Sequence, residues 1–303
     1  MTGVLVAGSY NAGLTVYGPR LPRPGETVVG DGFDSGPGGK GANQAIGAQR
    51  LGADVTFVTK LGDDLFGRQA RAVLAAEGLP EWGVLTGQAP TGVAFILVDA
   101  AAENMIAIAP GANLELTPAD VLALEDRVRD VGIVLVQLEC EASLAVGVAA
   151  WAREKGKRAI LNPAPARELS ISDLKAFEII TPNETELRTL ADAAGTGGDG
   201  PAEQAVALVR AGVPNVVVTL GKDGALWAGA DGVRTFPAPV VQAVDTTGAG
   251  DAFNAGLAAA LARGDSLPDA IEYGCRAGAF CVTRRGVIDG LAYRADLETQ
   301  ENG

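Results

Sequence analysis

"GIVLVQLECEASLAVGVAAWAREKGKRAILN", residues 132–162, decides the fold class of this chain. Two short apolar runs, at 132–139 and 158–162, flank a helix-periodic segment at 142–155. Strands that are joined through a helix usually run parallel in one sheet. Because both runs are almost continuously apolar, we expect them to be buried on both faces. The stretch therefore predicts a βαβ unit within a mostly parallel sheet.

The same alternation extends outward over the whole chain of 303 residues, which we predict to form one α/β domain. Helices are expected to cover both faces of a mostly parallel central sheet. The predicted strands are 3–8, 54–62, 132–139, 158–162, 177–183 and 215–221. The predicted helices are 41–52, 64–78, 117–130, 142–155, 201–212, 249–263 and 267–284.

Two segments, 14–33 and 91–113, break this rhythm, since each contains short strand-like runs joined by turns with no helix between them. Strand pieces inserted into an α/β chain often cover the ligand crevice. We therefore predict a small β lid built from about 12–36 and 91–110. Ordinary surface hairpins are the alternative.

Composition and charge argue against several functional classes. The chain is 48% hydrophobic and 20% charged, as is typical of packed globular proteins. Its net charge of −13 argues against partners such as nucleic acids and anionic membranes. No apolar run approaches the roughly 20 residues that span a bilayer, and "MTGVLVAGSYN" at the start lacks the basic region of a signal peptide.

The cysteine and histidine counts bound the chemistry. The chain has three cysteines, Cys140, Cys275 and Cys281, without paired metal-ligand spacing. We expect them to be buried thiols in a reducing compartment, and therefore a cytoplasmic protein. The chain has no histidine, so any acid–base chemistry falls to Asp, Glu, Lys, Tyr or Cys.

A first glycine cluster, "SGPGGKGANQA" at 35–45, surrounds a single lysine. It contains G-x-G-x-x-G, but it does not directly follow the first strand, as a dinucleotide-binding turn would, and it lacks the spacing of a P-loop. Glycines let a ligand approach the backbone, the helix start offers N–H donors, and Lys40 and Asn43 suit hydroxyls and negative charge. A polyhydroxylated, anionic ligand is one interpretation, and a structural glycine turn is the other.

A second cluster, "VDTTGAGDAFNAGLAAAL" at 244–261, is the strongest chemical signal. Gly248, Ala249 and Gly250 precede a long apolar helix, whose free amides and dipole favour an anion. Asp251 lies beside that site and is suited to take a proton from an alcohol while the amides bind a phosphoryl group. The alternative is that Asp251 only caps the helix.

Polar residues also follow the predicted strands, where α/β sheets bind ligands. In "TPNETE" at 181–186, Asn183 and Glu186 offer oxygen ligands that suit Mg²⁺, although a helix cap explains them equally well. Glu139 ends another strand and is a candidate for sugar or metal contact. "TLGKDG" at 219–224 is placed to border a nucleotide.

Together, "GGKGANQA" (38–45) and "DTTGAGDAFNAG" (245–256) resemble the two signatures of the PfkB family of carbohydrate kinases. "NPAPAR" (162–167), "TPNETE" and "VTRRG" (282–286) are similar to its ribokinase branch, and the resemblance covers nearly the whole chain. It implies an α/β core with a β lid, ATP-dependent phosphorylation of a sugar's primary hydroxyl, and homodimers formed through the lids.

The resemblance also implies a role for each matching residue. Asp251 would be the general base, and the amides of Gly248, Ala249, Gly250 and Asp251 the anion hole. The sugar pocket would be lined by Asn11, Gly39, Lys40, Asn43, Glu139 and Asp251. ATP would contact Asn183, Thr219, Gly221, Gly224, Gly250 and Cys275, with Mg²⁺ near Asn183 and Glu186.

One departure concerns a monovalent-cation loop. Its positions are occupied by Asp245, Thr247, Cys281, Arg284, Gly286 and Gly290. Gly290 replaces the usual serine, and Asp245 either supports this loop or contacts sugar. The resemblance therefore predicts activation by K⁺.

The other departure concerns the acceptor. Gly13 stands where the ribokinase branch usually has a sugar-binding aspartate. We expect phosphorylation of D-ribose to ribose 5-phosphate. Another acceptor, such as a nucleoside or ketohexose, is the alternative, because Gly13 leaves room for it. A non-catalytic sugar-binding regulator is a remote alternative, because a pure binding protein has no need of Asp251.

Overall fold

Thirteen strands form two sheets in residues 2–101 and 103–298, the part of the chain that this computed structural model describes. In chain order they are β1 (Gly3–Ala7), β2 (Asn11–Tyr17), β3 (Gly32–Gly38), β4 (Val55–Leu61), β5 (Val84–Thr86), β6 (Val93–Val98), β7 (Asn104–Ala109), β8 (Val131–Val136), β9 (Arg158–Leu161), β10 (Ile179–Ile180), β11 (Asn215–Thr219), β12 (Ala225–Gly229) and β13 (Gly232–Phe236).

The large sheet has nine strands within those residues, in the order β13-β12-β11-β10-β9-β8-β1-β4-β5. From β11 to β5 every neighbouring pair is parallel, and Val6 of β1 lies opposite both Phe57 and Leu135. The mostly parallel sheet is therefore confirmed. The antiparallel strands β12 and β13 were not predicted. Four of the five β13 residues are exposed, so that strand carries no alternating apolar pattern.

Helices cover both faces of this sheet, as predicted. The helices are α1 (Lys40–Arg50), α2 (Leu65–Ala76), α3 (Pro118–Leu122), α4 (Ala142–Glu154), α5 (Ile171–Leu174), α6 (Glu184–Ala193), α7 (Pro201–Arg210), α8 (Ala249–Arg263), α9 (Leu267–Cys281), α10 (Val287–Gly290) and α11 (Arg294–Glu298). Val4 and Val6 of β1 join one hydrophobic core with α1, α2, α8 and α9, whereas Leu5 and Ala7 join a second core with α4, α6 and α7. Across the described part of the chain, no helix is long and apolar enough to cross a membrane.

The small sheet consists of β3, β2, β6 and β7 in that order. Its outer pairs are antiparallel, and β2 pairs with β6 in parallel. These strands come from the two segments that broke the strand–helix alternation, so the predicted small β unit is present. Every residue of β7 is exposed.

The single helix predicted over 117–130 is wrong. Helix α3 ends at Leu122, and a short 3₁₀ turn follows at Glu125–Arg127. The amides of Leu124 and Arg127 donate to the carbonyl oxygens three residues before them, at 3.0 and 2.8 Å, so the chain continues in 3₁₀ turns rather than as one α-helix. The Lys157 ammonium then donates to the carbonyl oxygens of Val128, Arg129 and Val131 at 3.2, 2.9 and 2.6 Å, a contact that local periodicity does not reveal.

Candidate active site

A cleft of about 170 Å³ lies at the carboxyl ends of β9, β10 and β11, beside the start of α8. Open parallel sheets bind their ligands at this edge. The cleft unites residues from both glycine clusters, which are about 200 positions apart in the chain. Its lining residues are Lys40, Asn162, Ala164, Thr181, Asn183, Glu186, Thr219, Thr246, Gly248, Ala249, Gly250, Asp251 and Asn254.

The start of α8 presents unpaired backbone donors to this cleft. Gly248 is the N-cap residue, with φ 82°, and a Cβ there would lie 2.5 Å from a methyl group of Val287. The amides of Gly248, Gly250 and Asp251 donate no hydrogen bond to any described residue, whereas the Ala249 amide donates to Thr246 at 3.3 Å. Unpaired amides at a helix start, together with the helix dipole, form an anion site.

Asp251 is 6% exposed and is bound by α1 rather than by its own helix. Its Oδ2 accepts from Nδ2 of Asn43 at 2.8 Å, and its Oδ1 accepts from Nε2 of Gln44 at 2.9 Å. Since the N-cap of α8 is Gly248 and Asp251 accepts from no α8 amide, helix capping does not explain this carboxylate. Oδ1 of Asn43 is buried without a partner, so it is available to a ligand hydroxyl.

Lys40, the first residue of α1, lies among three carboxylates. Burial lowers its pKa, but the charges of Asp251, Glu139 and Glu186 together outweigh that effect and raise the pKa above its ordinary value. The ammonium is therefore retained at neutral pH. It places a positive charge beside the anion site.

Glu139 lies beside the start of α1, next to the turn that joins β1 and β2. Its Oε2 accepts from Oγ of Ser9 at 2.6 Å, Nδ2 of Asn11 at 3.4 Å and the backbone amide of Lys40 at 2.9 Å. Asn113 fixes this turn by bonding to both backbone groups of Tyr10 and to Oδ1 of Asn11. Asn11, Lys40 and Glu139, predicted to share a sugar pocket, are thus in contact.

The glycines around Lys40 have a structural cause. Gly39 has φ 89°, and a Cβ there would lie 2.8 Å from the amide nitrogen of Asn11. A Cβ at Gly41 would lie 2.6 Å from the amide nitrogen of Ser9. At these two positions the absence of a Cβ admits the neighbouring backbone, which supports the interpretation of a structural glycine turn. The close approach lets the start of α1 reach Glu139. Contact of Gly39 with a sugar stays a prediction.

Asn183 and Glu186 form a capping box and line the cleft at the same time. Oδ1 of Asn183 accepts from the Glu186 amide at 2.8 Å, and Oε2 of Glu186 accepts from the Asn183 amide at 2.9 Å. Burial is the main cause that raises the pKa of Glu186, and the Asp251 charge adds to it, while the Asn183 amide and Lys40 oppose it. A buried carboxylate near a second carboxylate is suited to a cation.

The residues expected to border the nucleotide lie in different settings. Thr219 lines the cleft and pairs with Asn183 through an isolated bridge. Gly221 and Gly224 belong to the turn that follows β11, and a Cβ at Gly224 would lie 2.0 Å from the carbonyl oxygen of Phe236. Cys275 lies on α9, is 6% exposed and packs in the first hydrophobic core, where burial raises the pKa of its thiol to about 12. Contact of these residues with ATP stays a prediction.

The candidate cation loop is held together by Asp245. Its carboxylate accepts from the amides of Thr247 at 2.9 Å and Gly286 at 3.1 Å. Burial raises the pKa of Asp245, but hydrogen bonds from these amides outweigh burial and lower it. Cys281 donates to the carbonyl oxygen of Thr247 at 3.7 Å, and a Cβ at Gly290 would lie 3.0 Å from that sulfur.

The other members of this loop do not supply side-chain ligands. The Arg284 guanidinium lies over the Phe280 ring at 4.3 Å. Within residues 2–101 and 103–298, no group of three or more acidic or cysteine side chains is placed to hold a metal. A cation at this loop would therefore be bound largely by backbone carbonyl oxygens.

Comparison with known proteins identifies the family. The chain matches the pfkB family of carbohydrate kinases over residues 1–292. The chain belongs to the PfkB family. It is therefore a phosphotransferase, and the fold and the paired signatures agree with that assignment.

This PfkB kinase is similar in sequence to two sugar kinases and in structure to a solved ribokinase. A ribokinase of Haemophilus influenzae is 37% identical over 292 residues, which cover 96% of this chain and 95% of that protein. A deoxyribokinase of Salmonella typhi is 36% identical over 290 residues, covering 93% of each. The solved structure of Arabidopsis thaliana ribokinase, complexed with ribose and ATP, has a TM-score of 0.89 at 31% identity and covers 98% of each chain.

Several polar residues in and behind the kinase cleft were not predicted from the sequence. Thr181 donates to Oδ1 of Asn254 at 2.6 Å, and Asn254 donates to the carbonyl oxygen of Gly250 at 2.8 Å, which ties the anion site to the end of β10. Gln44 and Gln137 connect Asp251 to the end of β8. The available signal was a polar side chain inside an apolar run, as with Gln137 in 132–138 and Asn254 in 249–263.

Proposed function

We propose that this kinase transfers the γ-phosphoryl group of ATP to the primary hydroxyl of D-ribose and releases ribose 5-phosphate. The observation that carries the proposal is the placement of the Asp251 carboxylate beside the unpaired amides of Gly248 and Gly250, in one cleft with Lys40. The H. influenzae ribokinase and the A. thaliana ribokinase complexed with ribose and ATP support this acceptor and this donor.

In the proposed reaction, the oxygen of the sugar's primary hydroxyl forms a bond to the γ-phosphorus, and the Asp251 carboxylate takes the proton of that hydroxyl. The bond from the γ-phosphorus to the bridging oxygen breaks, and ADP leaves with that electron pair. The amides of Gly248, Gly250 and Asp251 stabilise the charge on the transferred group, and Lys40 contributes a fixed positive charge. Phosphoryl transfer depends mainly on such positioning and charge stabilisation, so the absence of histidine from the chain is no obstacle.

Asn183 and Glu186 fit a Mg²⁺ site that is completed by water and nucleotide phosphates. Bound there, Mg²⁺ would neutralise negative charge on the phosphates. Thr219, Gly221, Gly224 and Cys275 are proposed to border ATP at the β11 side.

We further propose that K⁺ activates the enzyme by ordering the loop of Asp245, Thr247, Cys281 and Gly286 beside the anion site. The bonds from Asp245 to the Thr247 and Gly286 amides support this, because they join both halves of the loop. We expect higher kcat in K⁺ than in an equal concentration of tetramethylammonium. Equal rates in the two salts would contradict activation by K⁺.

The acceptor is tested by a panel of sugars and nucleosides. Gly13 leaves space, since a Cβ there would meet only the Gly36 carbonyl oxygen at 3.4 Å, and a deoxyribokinase is among the relatives. Turnover of ATP would be measured with ribose, 2-deoxyribose, fructose and nucleosides in the presence of Mg²⁺ and K⁺. We expect the highest kcat/KM for ribose. A higher value for another acceptor would replace ribose, and no turnover with any acceptor would favour a binding protein.

We also propose a homodimer that forms through the small sheet. Its exposed apolar side chains support this, among them Phe33 (67% exposed), Phe95 (53%) and Ile106 (57%), because such patches usually mark an interface. Through that contact the small sheet would act as a lid over the sugar end of the cleft.

A cytoplasmic location is proposed as well, since Cys140, Cys275 and Cys281 are free thiols.

A further inference from the structure

Gln44 makes three hydrogen bonds inside the protein, where it is fully buried at 0% exposed. Its Nε2 donates to Oδ1 of Asp251 and to Oδ1 of Asn162, each at 2.9 Å. Its Oε1 accepts from Nε2 of Gln137 at 2.6 Å. A buried glutamine that is bound on every side has one fixed position.

The orientation of this carboxamide follows from the chemistry of its neighbours. An ionised carboxylate only accepts hydrogen bonds, so the NH₂ group of Gln44 must face Asp251. Its carbonyl oxygen then faces Gln137, whose NH₂ group completes the set. Without that donor, the Gln44 oxygen would be buried and unpaired, and a rotated carboxamide would become competitive.

Gln137 itself has an unfavourable environment, which points to a role for its donor. It is 2% exposed, and its Oε1 has no hydrogen-bond partner among the residues that the structure describes. That oxygen packs against the backbone of Gly8, and a Cβ on Gly8 would lie only 2.1 Å from it. An apolar side chain would fill this buried space without leaving an acceptor unpaired. The glutamine is accounted for by the bond that it donates to Gln44.

We propose that Gln44 and Gln137 are positioning residues for the base, with Gln137 acting through Gln44. Together with Asn43 on the other oxygen, Gln44 fixes the rotation of the Asp251 carboxylate and leaves lone pairs for the acceptor hydroxyl. This inference rests on the proposed function of Asp251. Neither glutamine is among the residues that line the cleft, so neither is expected to bind substrate.

The test is a double-mutant cycle with Gln44→Met and Gln137→Met, which keep the side-chain size but remove the donors. We expect Gln44→Met to lower kcat about tenfold to a hundredfold, from the usual strength of a hydrogen bond to a charged group. We expect KM for ribose to stay within about twofold, because only the base is disturbed. Gln137→Met should lower kcat by a smaller factor, about threefold to tenfold. The double variant should match Gln44→Met alone.

Gln49→Met is the matched control, since Gln49 lies on the same helix and its Oε1 accepts only from the Val55 amide at 3.3 Å. Its kcat should equal that of the wild type. Additive losses in the double variant would overturn the proposed link between the glutamines. An unchanged kcat, or a rise in KM alone, for Gln44→Met would overturn the positioning role.

Failure of the positioning role of Gln44 can be distinguished from failure of the proposed kinase function. A wild-type enzyme without ribose turnover would refute that function, whereas an active wild type with an unaffected Gln44→Met would refute only this inference. Thermal unfolding checks that each variant is folded. If Gln44→Met does not fold, Gln137→Met decides alone, and an unchanged kcat for it would contradict the proposal.

Discussion

At the residue scale, the cleft sets one ammonium group, on Lys40, among the carboxylates of Asp251, Glu139 and Glu186. Lys40 retains its proton because the carboxylates raise its pKa, and Asp251 is kept in place by carboxamides rather than by a cation. At Glu186, burial outweighs the favourable contacts with the Asn183 amide and Lys40, so the pKa of its carboxyl group is raised and its charged form is disfavoured. The site therefore holds negative charge that a bound cation would relieve.

Glu186→Gln is predicted to stabilise the protein while weakening catalysis. The pKa of Glu186 is raised in the folded state, so its contribution to stability is present below the ordinary value of 4.5 and is lost as the pH rises through the folded-state pKa. Gln mimics the protonated form and can still accept from the Asn183 amide. We expect Tm to rise by about 1–3 °C at pH 7 and to equal that of the wild type near pH 4. A lower Tm for the variant at pH 7 would contradict this balance.

Gly13→Asp is predicted to strengthen binding of ribose. The nearest neighbour of a Cβ there is the Gly36 carbonyl oxygen at 3.4 Å, so the side chain is sterically tolerated. A hydrogen bond from a hydroxyl to a carboxylate contributes about 1.5–3 kcal/mol, so KM for ribose should fall about tenfold. Gly13→Asn, which lacks the charge, is the matched control and should show a smaller effect. An increase in KM for the Asp variant would place this position outside the sugar pocket.

At the scale of elements, the start of α8 joins the anion site to the rest of the cleft. Gly248 takes a left-handed conformation against Val287, while Gly250 lies inside the helix beside empty space, with no atom within 4 Å of a Cβ. Glycine is therefore required at Gly248 for steric reasons, whereas at Gly250 we expect it to keep the free amides accessible to a ligand. A pair of alanine substitutions separates them.

Gly250→Ala is predicted to lower activity without lowering stability. Alanine favours the helix over glycine by roughly 0.5–1 kcal/mol, but its methyl group would occupy the space in front of the free amides. We expect kcat to fall about tenfold or more, with Tm unchanged or slightly higher. Gly248→Ala should instead lower Tm by about 2–8 °C, because strain and the contact with Val287 both oppose it. An equal loss of Tm in both variants would contradict the distinction.

The sequence predicted most elements because burial imposes periodicity, yet it did not predict the pairs that hold the site. Gln44 and Asp251 both lie within recognisable clusters, but the bond between them joins positions 207 residues apart, and no local pattern reveals it. Helix α6 is absent from the predicted helices, although the helix cap that was one interpretation of Asn183 and Glu186 is present. The helix expected over 117–130 ends at Leu122 and is followed by a 3₁₀ turn at Glu125–Arg127, a change that apolar periodicity does not distinguish from a continuing helix.

At the scale of the whole molecule, the large sheet carries the chemistry and the small sheet exposes apolar surface. Strands β6 and β7 carry Phe95, Met105, Ile106 and Ile108, all more than half exposed. Such a surface is unusual for a monomer, and it is the basis of the proposed homodimer.

Ile106→Asp is predicted to give a monomer in sedimentation at micromolar concentration, while the wild type sediments as a dimer. A charge at the centre of an apolar interface would be buried without a partner, which is strongly unfavourable. Val233→Asp is the control, because Val233 is 47% exposed on β13, at the edge of the other sheet. A wild type that sediments as a monomer would contradict the proposed dimer.

The role of Asp251 as the general base is tested by the turnover of Asp251→Asn with ribose and ATP, measured together with nucleotide binding. Asparagine keeps the size of the side chain but cannot take the hydroxyl proton. We expect kcat to fall by at least about a hundredfold, as for loss of a general base, while Kd for ATP stays within about twofold. A variant that binds ATP normally and keeps kcat within about threefold of the wild type would show that Asp251 is not the base.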